Sequence, residues 1–145
     1  MLGWHVSVYK ITEPSPLAGV ADVSALLVKL SADTNREALR NALVTGEKLA
    51  VWQADVDGLA WVNELVKDTR ALQLAFNGYP NLFVALARDL TRQILQGPPR
   101  ARSTWTAGLH DVLTPKWQGK TVIETAAIAD CSPAEWLVVQ AWDES

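Results

Sequence analysis

Four short stretches of this chain carry side chains with reactive chemistry. His110-Asp111 sets an imidazole beside a carboxylate, the pairing used in general base catalysis, and Cys131 is the single thiol available as a nucleophile. A nucleophilic cysteine needs a cation or a helix N-terminus to lower its pKa, and neither follows from the sequence around Cys131, which therefore reads as a buried, inert thiol. Gly119-Lys120-Thr121 has the last three residues of a phosphate loop, but the glycine needed five positions before Gly119 is Thr114, followed by Pro115, and the backbone amides lose their cradle. Asp55-Val56-Asp57-Gly58 has the acidic spacing that opens a calcium loop. The place of the bidentate glutamate is held by Val66, so a cap on a following helix accounts for the pair better. His5 is the only other histidine, and two histidines without ligand spacing make no metal site. These motifs assign no catalytic residue, no cofactor and no metal.

Charge and aromatic placement point to contacts instead. Arg88, Arg92, Arg100 and Arg102, less Asp89, give residues 88–102 a net +3, whereas residues 103–145 hold six carboxylates against two lysines. The whole chain carries −3 with a pI near 5.3, the wrong sign for gripping a phosphate backbone, so RNA binding through the arginine segment is the weakest functional reading. Seven tryptophans are present; Trp52 and Trp136 lie in apolar runs and belong to a core. Trp105 and Trp117, flanked by polar residues, Gly and Pro, suit either pinning of a long loop or an interface anchor.

The elements that must position these residues follow from periodicity. Trp4–Ile11 alternates, with Trp4, Val6 and Val8 on one face and His5, Ser7 and Tyr9 on the other, which predicts a strand ended by Pro14 and Pro16. Between 17 and 30 either a helix or a strand over 24–30 fits, and the alternation of Leu26, Val28 and Leu30 favours the strand. Thr34-Asn35-Arg36-Glu37 is a capping box for a helix carrying Ala38, Leu39, Ala42 and Leu43, with Gly46 as its stop. Residues 48–54 read as a strand covered on both faces, with Leu49 and Val51 opposite Ala50 and Trp52. Leu59, Val62, Leu65 and Val66 mark an amphipathic helix. Leu72, Leu74 and Phe76 alternate in a strand that the Asn77-Gly78-Tyr79-Pro80 turn joins to another over 82–87. A helix over 89–96, a long loop over 97–118, a helix over 121–130, a turn at Ser132-Pro133-Ala134-Glu135 and a strand over 136–142 complete the chain. The expectation is one domain over 1–145, α/β or α+β, layered, with a mixed sheet and about four short helices.

Length and composition agree with that expectation. A chain of 145 residues that is 49% apolar has enough hydrophobic surface to fold around one core. One cysteine excludes an intrachain disulfide and a thiolate zinc cage. The N-terminus lacks a basic stretch leading into a long apolar run, and no apolar run approaches the ~20 residues of a membrane span, so the expected compartment is the cytoplasm.

The segments Gly3-Trp4-His5-Val6-Ser7-Val8-Tyr9, Leu49-Ala50-Val51-Trp52-Gln53, Asn77-Gly78-Tyr79-Pro80, Gly108-Leu109-His110-Asp111 and the run from Glu135 to Ser145 resemble small stand-alone bacterial proteins, some of which look like immunity partners of contact-dependent inhibition toxins. The resemblance implies a protein with no chemistry of its own and a surface complementary to a cognate toxin. Nuclease toxins are usually basic, and mild acidity would steer such an encounter. The expected contact residues are Asp55, Asp57, Asp143 and Glu144 with a tryptophan anchor at Trp105 or Trp142. The alternative is a small ligand-binding domain or enzyme, its pocket roofed by the 97–118 loop with His110 and Asp111 as the polar groups.

Overall fold

A computed structural model describes residues 3–32, 36–97, 99 and 121–144. Strand β1 (Trp4–Ile11) forms where alternation predicts it, and Val6 and Val8 are wholly buried on one face. Five further strands join it: β2 (Thr45–Ala54), β3 (Ala71–Ala75), β4 (Asn81–Leu86), β5 (Val122–Ile123) and β6 (Trp136–Asp143). Their order across the sheet is β3-β4-β6-β1-β2-β5. The apolar character of both faces of 136–142 has its cause here, because β6 lies between β4 and β1 and is covered from both sides.

The helices are α1 (Val23–Ala32), α2 (Arg36–Ala42), α3 (Ala60–Lys67), α4 (Ala87–Leu95) and α5 (Thr125–Ala129). Val62 and Leu65 of α3, Leu90 and Ile94 of α4 and Ile128 of α5 pack on one face of the sheet with Val6, Trp52, Phe83 and Leu137. Val23 and Leu26 of α1 and Leu39 of α2 pack on the other with Leu72, Val84, Trp136 and Val138. The architecture is α+β, with helices on both faces of one sheet.

The sheet is not mixed: every strand pairing among the described residues is antiparallel. Two helices separate β1 from β2 and return the chain to the end it left, where Ile11 pairs with Thr45 and Thr12 N–H donates to Val44 O at 2.8 Å. The single helix α3 does act as a crossover, but it carries the chain from β2 to the far edge, so the two like-directed strands never become neighbours.

Several local expectations are corrected. Residues 23–32 are helical, not a strand over 24–30. Leu26 is 1% exposed and Val28 70%, and the buried or half-buried positions Val23, Leu26, Leu27 and Leu30 follow a helical stripe. Asp22 supplies the start, its Oδ1 accepting the Ala25 N–H at 2.8 Å. The helix after the capping box is α2, with Leu39 buried; Thr34 and Asn35 lie outside the described residues. Gly46 is not the stop of that helix but part of β2, where an added Cβ would meet Thr12 Oγ1 at 3.2 Å. A register shift between Val8 and Tyr9 turns Leu49 toward the same cluster as Ala50, so the two do not face opposite sides. Residues 121–130 divide into β5 and α5, the β-branched Val122 and Ile123 adding an edge strand to β2.

Two core tryptophans tie loops to the body. Trp136 Nε1–H donates to Val20 O at 2.9 Å, holding the segment before α1, and Trp52 Nε1–H donates to Pro99 O at 3.2 Å. Both indoles are buried as expected, and each N–H finds a backbone carbonyl rather than remaining unpaired.

Candidate functional site

Antiparallel register brings the start of β1, the ends of β2, β3 and β6 and the start of β4 to one end of the sheet. Trp4 pairs with Ala54 on one side and with Asp143 on the other, which sets the exits of β2 and β6 about 10 Å apart. Asp55 and Asp57 follow β2, and Asp143 and Glu144 close β6, so the four carboxylates nominated from the sequence share this end. Glu144 is anchored by its N–H to Gly3 O at 3.0 Å, and its carboxylate accepts from Gln53 Nε2.

The loops that complete this end are tightly built. Asp55 Oδ1 accepts the Asp57 N–H at 3.0 Å and Asp55 O accepts the Gly58 N–H at 2.9 Å, making a turn. The expected side-chain cap on α3 is absent: Leu59 occupies the cap position, and it is the backbone carbonyl of Asp57 that accepts the Ala60 N–H. In the β3–β4 turn Gly78 adopts φ +82°, and a side chain there would be conformationally strained and would meet Asp143 Cβ at 3.4 Å. The Gly78 carbonyl accepts the Asp143 N–H at 2.9 Å, which fastens the turn to the end of β6.

Apolar side chains are left in solvent at the same end. Phe76 is 63% exposed, Tyr79 60%, Val56 53% and Trp142 42%, four of the seven large exposed hydrophobic residues described. Segments 55–59, 76–80 and 142–144 contain four carboxylates and neither lysine nor arginine. Exposed apolar side chains in segments that carry carboxylates and no cation are the residue types of a protein-binding surface. At the same end a groove of about 350 Å³ runs between β1 and α3, lined by Trp4, Val56, Asp57, Leu59, Asn63 and Gln73 among others.

Of the contact residues read from sequence, Asp55, Asp57, Trp142, Asp143 and Glu144 are brought together; Trp105 lies outside the described residues, as do His110, Asp111 and the loop roof of the alternative pocket. Phe76 and Tyr79 were missed. Phe76 continued the alternation of Leu72 and Leu74 and so read as core, but β3 ends at Ala75, and the Asn77-Gly78 turn immediately after it was the available signal.

The reactive groups do not converge. Burial pushes the Cys131 thiol above its ordinary pKa, Glu135 adds to the effect, and its Sγ lies 3.5 Å from Ala127 O, the opposite of an activated nucleophile. Thr121 is wholly buried, so its hydroxyl is not presented to a phosphate or to magnesium. His5 has its pKa lowered chiefly by burial, with Lys48 acting the same way and Glu144 opposing. No helix among the described residues is long and apolar enough to cross a membrane. Comparison with protein-family models, curated proteins and solved structures finds no match to this chain.

Proposed function

We propose that this chain is a non-catalytic, cytoplasmic binding protein that neutralises a basic toxin by direct contact, as an immunity protein does. The observation that carries the reading is the convergence of Val56, Phe76, Tyr79 and Trp142 with Asp55, Asp57, Asp143 and Glu144 at one end of the sheet. Exposed aromatics give desolvation energy at the centre of such a contact, and the surrounding carboxylates steer a cationic partner and fix its orientation. The loops presenting them are held by backbone hydrogen bonds, so little ordering is required on binding.

The test is co-expression with the product of the adjacent upstream gene, purification through a tag on one chain, and measurement of toxin activity with and without this protein. A tight complex that abolishes toxicity supports the reading. Replacing Asp55, Asp57, Asp143 and Glu144 by lysine should then lower the association rate about tenfold or more at low salt. An unchanged rate would place the interface elsewhere, and no complex with no rescue would reject the immunity function.

A further inference from the structure

We propose that the cavity between α1 and α2 binds a free medium-chain carboxylate, with the alkyl tail inside and the head on Lys29. The cavity has a volume of about 230 Å³ and shares no lining residue with the candidate interface. Side-chain sizes on the two helices create it. Leu26, Lys29 and Leu30 recur on one face of α1 at the spacing of a helical turn, and Ala38, Leu39 and Ala42 of α2 line the same space. Leu26 and Leu39, with Leu17 from the segment before α1, are buried in the core and form the floor. Ala38 and Ala42 stay exposed, each with only a methyl group to set against a gap that a longer side chain would fill.

The lining selects both ends of the ligand. Seven of its eight residues are apolar, and Lys29 is the charged one. An ordered water needs about two to four polar partners, which such walls do not offer, whereas a hydrocarbon tail gains by leaving solvent for them. A methylene takes about the volume of a water molecule, ~30 Å³, so the space holds about seven or eight of them. A drug-sized ligand, which needs roughly 300–1,000 Å³, is too large. Lys29 supplies the counter-charge. Its Nζ donates to the carbonyl of Pro16, itself a lining residue, at 3.4 Å, which places the ammonium beside the cavity. That contact engages one of three N–H donors and leaves two for a carboxylate. Among the described residues no carboxylate forms an ion pair with Lys29. An alkylammonium would meet like charge there, and an alcohol would bring no charge to pair.

The experiment titrates the full chain, ¹³C-labelled at leucine methyl groups, with butanoate, hexanoate, octanoate and dodecanoate below their micelle concentrations, and with octanol and octylamine. Octanoate should shift the methyls of Leu17, Leu26, Leu30 and Leu39 ahead of all other leucines. Each added methylene from butanoate to octanoate should tighten binding about three- to fourfold, and dodecanoate should gain little more once the cavity is full. Octanol and octylamine should bind at least fivefold more weakly than octanoate. Lys29→Gln, at an exposed position, should weaken octanoate at least threefold and leave octanol unchanged, and Lys29→Arg should restore most of the loss. Ala38→Leu with Ala42→Leu fills the cavity from two exposed positions and should abolish binding of both compounds while the thermal melt stays cooperative. Octanol binding as tightly as octanoate, an affinity that does not rise with chain length, octanoate binding unaltered by the double leucine variant, or shifts scattered over leucines outside the cavity would overturn the proposal. So would sedimentation of the protein with phosphatidylcholine vesicles in the absence of octanoate binding, which would reassign the surface to membrane lipid. Neither result bears on the toxin complex, whose residues lie elsewhere.

Discussion

A methyl group at Gly58 offers a sharp test of how the candidate interface is supported. The backbone of Gly58 lies outside the left-handed region, so crowding alone decides the outcome of Gly58→Ala. An ideal Cβ there would sit 2.3 Å from Ala54 Cβ and 2.8 Å from Asp55 O. Neither neighbour is a flexible side-chain tip. Ala54 is wholly buried at the end of β2 and paired with Trp4, and the Asp55 carbonyl is already engaged with the Gly58 N–H. Relief must come from displacement of the 55–58 turn. Overpacking of this kind costs about 1–3 kcal/mol, offset by roughly 0.4–1 kcal/mol from the smaller entropy of the unfolded chain, so a net loss of about 1–2 kcal/mol is expected. For a chain of this length that corresponds to a melting temperature lower by about 3–7 °C. Urea unfolding followed by tryptophan fluorescence measures it. In an Ala54→Gly background the 2.3 Å contact is gone, and the added cost of Gly58→Ala should fall by at least half, the signature of two coupled positions. A Gly58→Ala protein within about 0.5 kcal/mol of the parent, or an equal cost in both backgrounds, would refute the turn geometry and with it the placement of Asp55, Val56 and Asp57.

Four further outcomes follow from the same structure. His5 has a folded-state pKa below its ordinary value of 6.5, so the unfolded chain binds the proton first as pH falls; stability should decline from pH 7.5 toward the lowered pKa and then level, and His5→Gln should flatten that part of a denaturation-versus-pH curve. Cys131, with its thiol pKa raised mainly by burial, should react with iodoacetamide at pH 8 severalfold more slowly than a free cysteine derivative, and unfolding in urea should remove the difference. Phe83→Ala empties a wholly buried position on β4 in the core cluster and should cost about 3–5 kcal/mol in urea unfolding. Phe76→Ser should leave stability within about 0.5 kcal/mol while weakening any complex formed by this end of the sheet, a contrast that separates interface from core.

What the sequence determined by itself was local. The alternation of Trp4–Ile11, the apolar run 136–142, the stripe of Leu59, Val62 and Leu65, and the Asn77-Gly78 turn each encode their element, because period and turn chemistry act over a few residues. Where a segment satisfied two periods, as 23–32 does, tertiary burial decided: Leu26 enters the core and Val28 does not, and Asp22 closes the helix start. The candidate site divides in the same way. Residue chemistry singled out Asp55, Asp57, Trp142, Asp143 and Glu144, yet nothing local relates position 55 to position 143. Only the antiparallel register through Trp4 brings them to one end of the sheet, and only the end of β3 at Ala75 leaves Phe76 in solvent at that end. The groove needed the fold entirely, since Trp4 comes from β1, Asp57 from the turn between β2 and α3, and Gln73 from β3, and their proximity is a property of strand order.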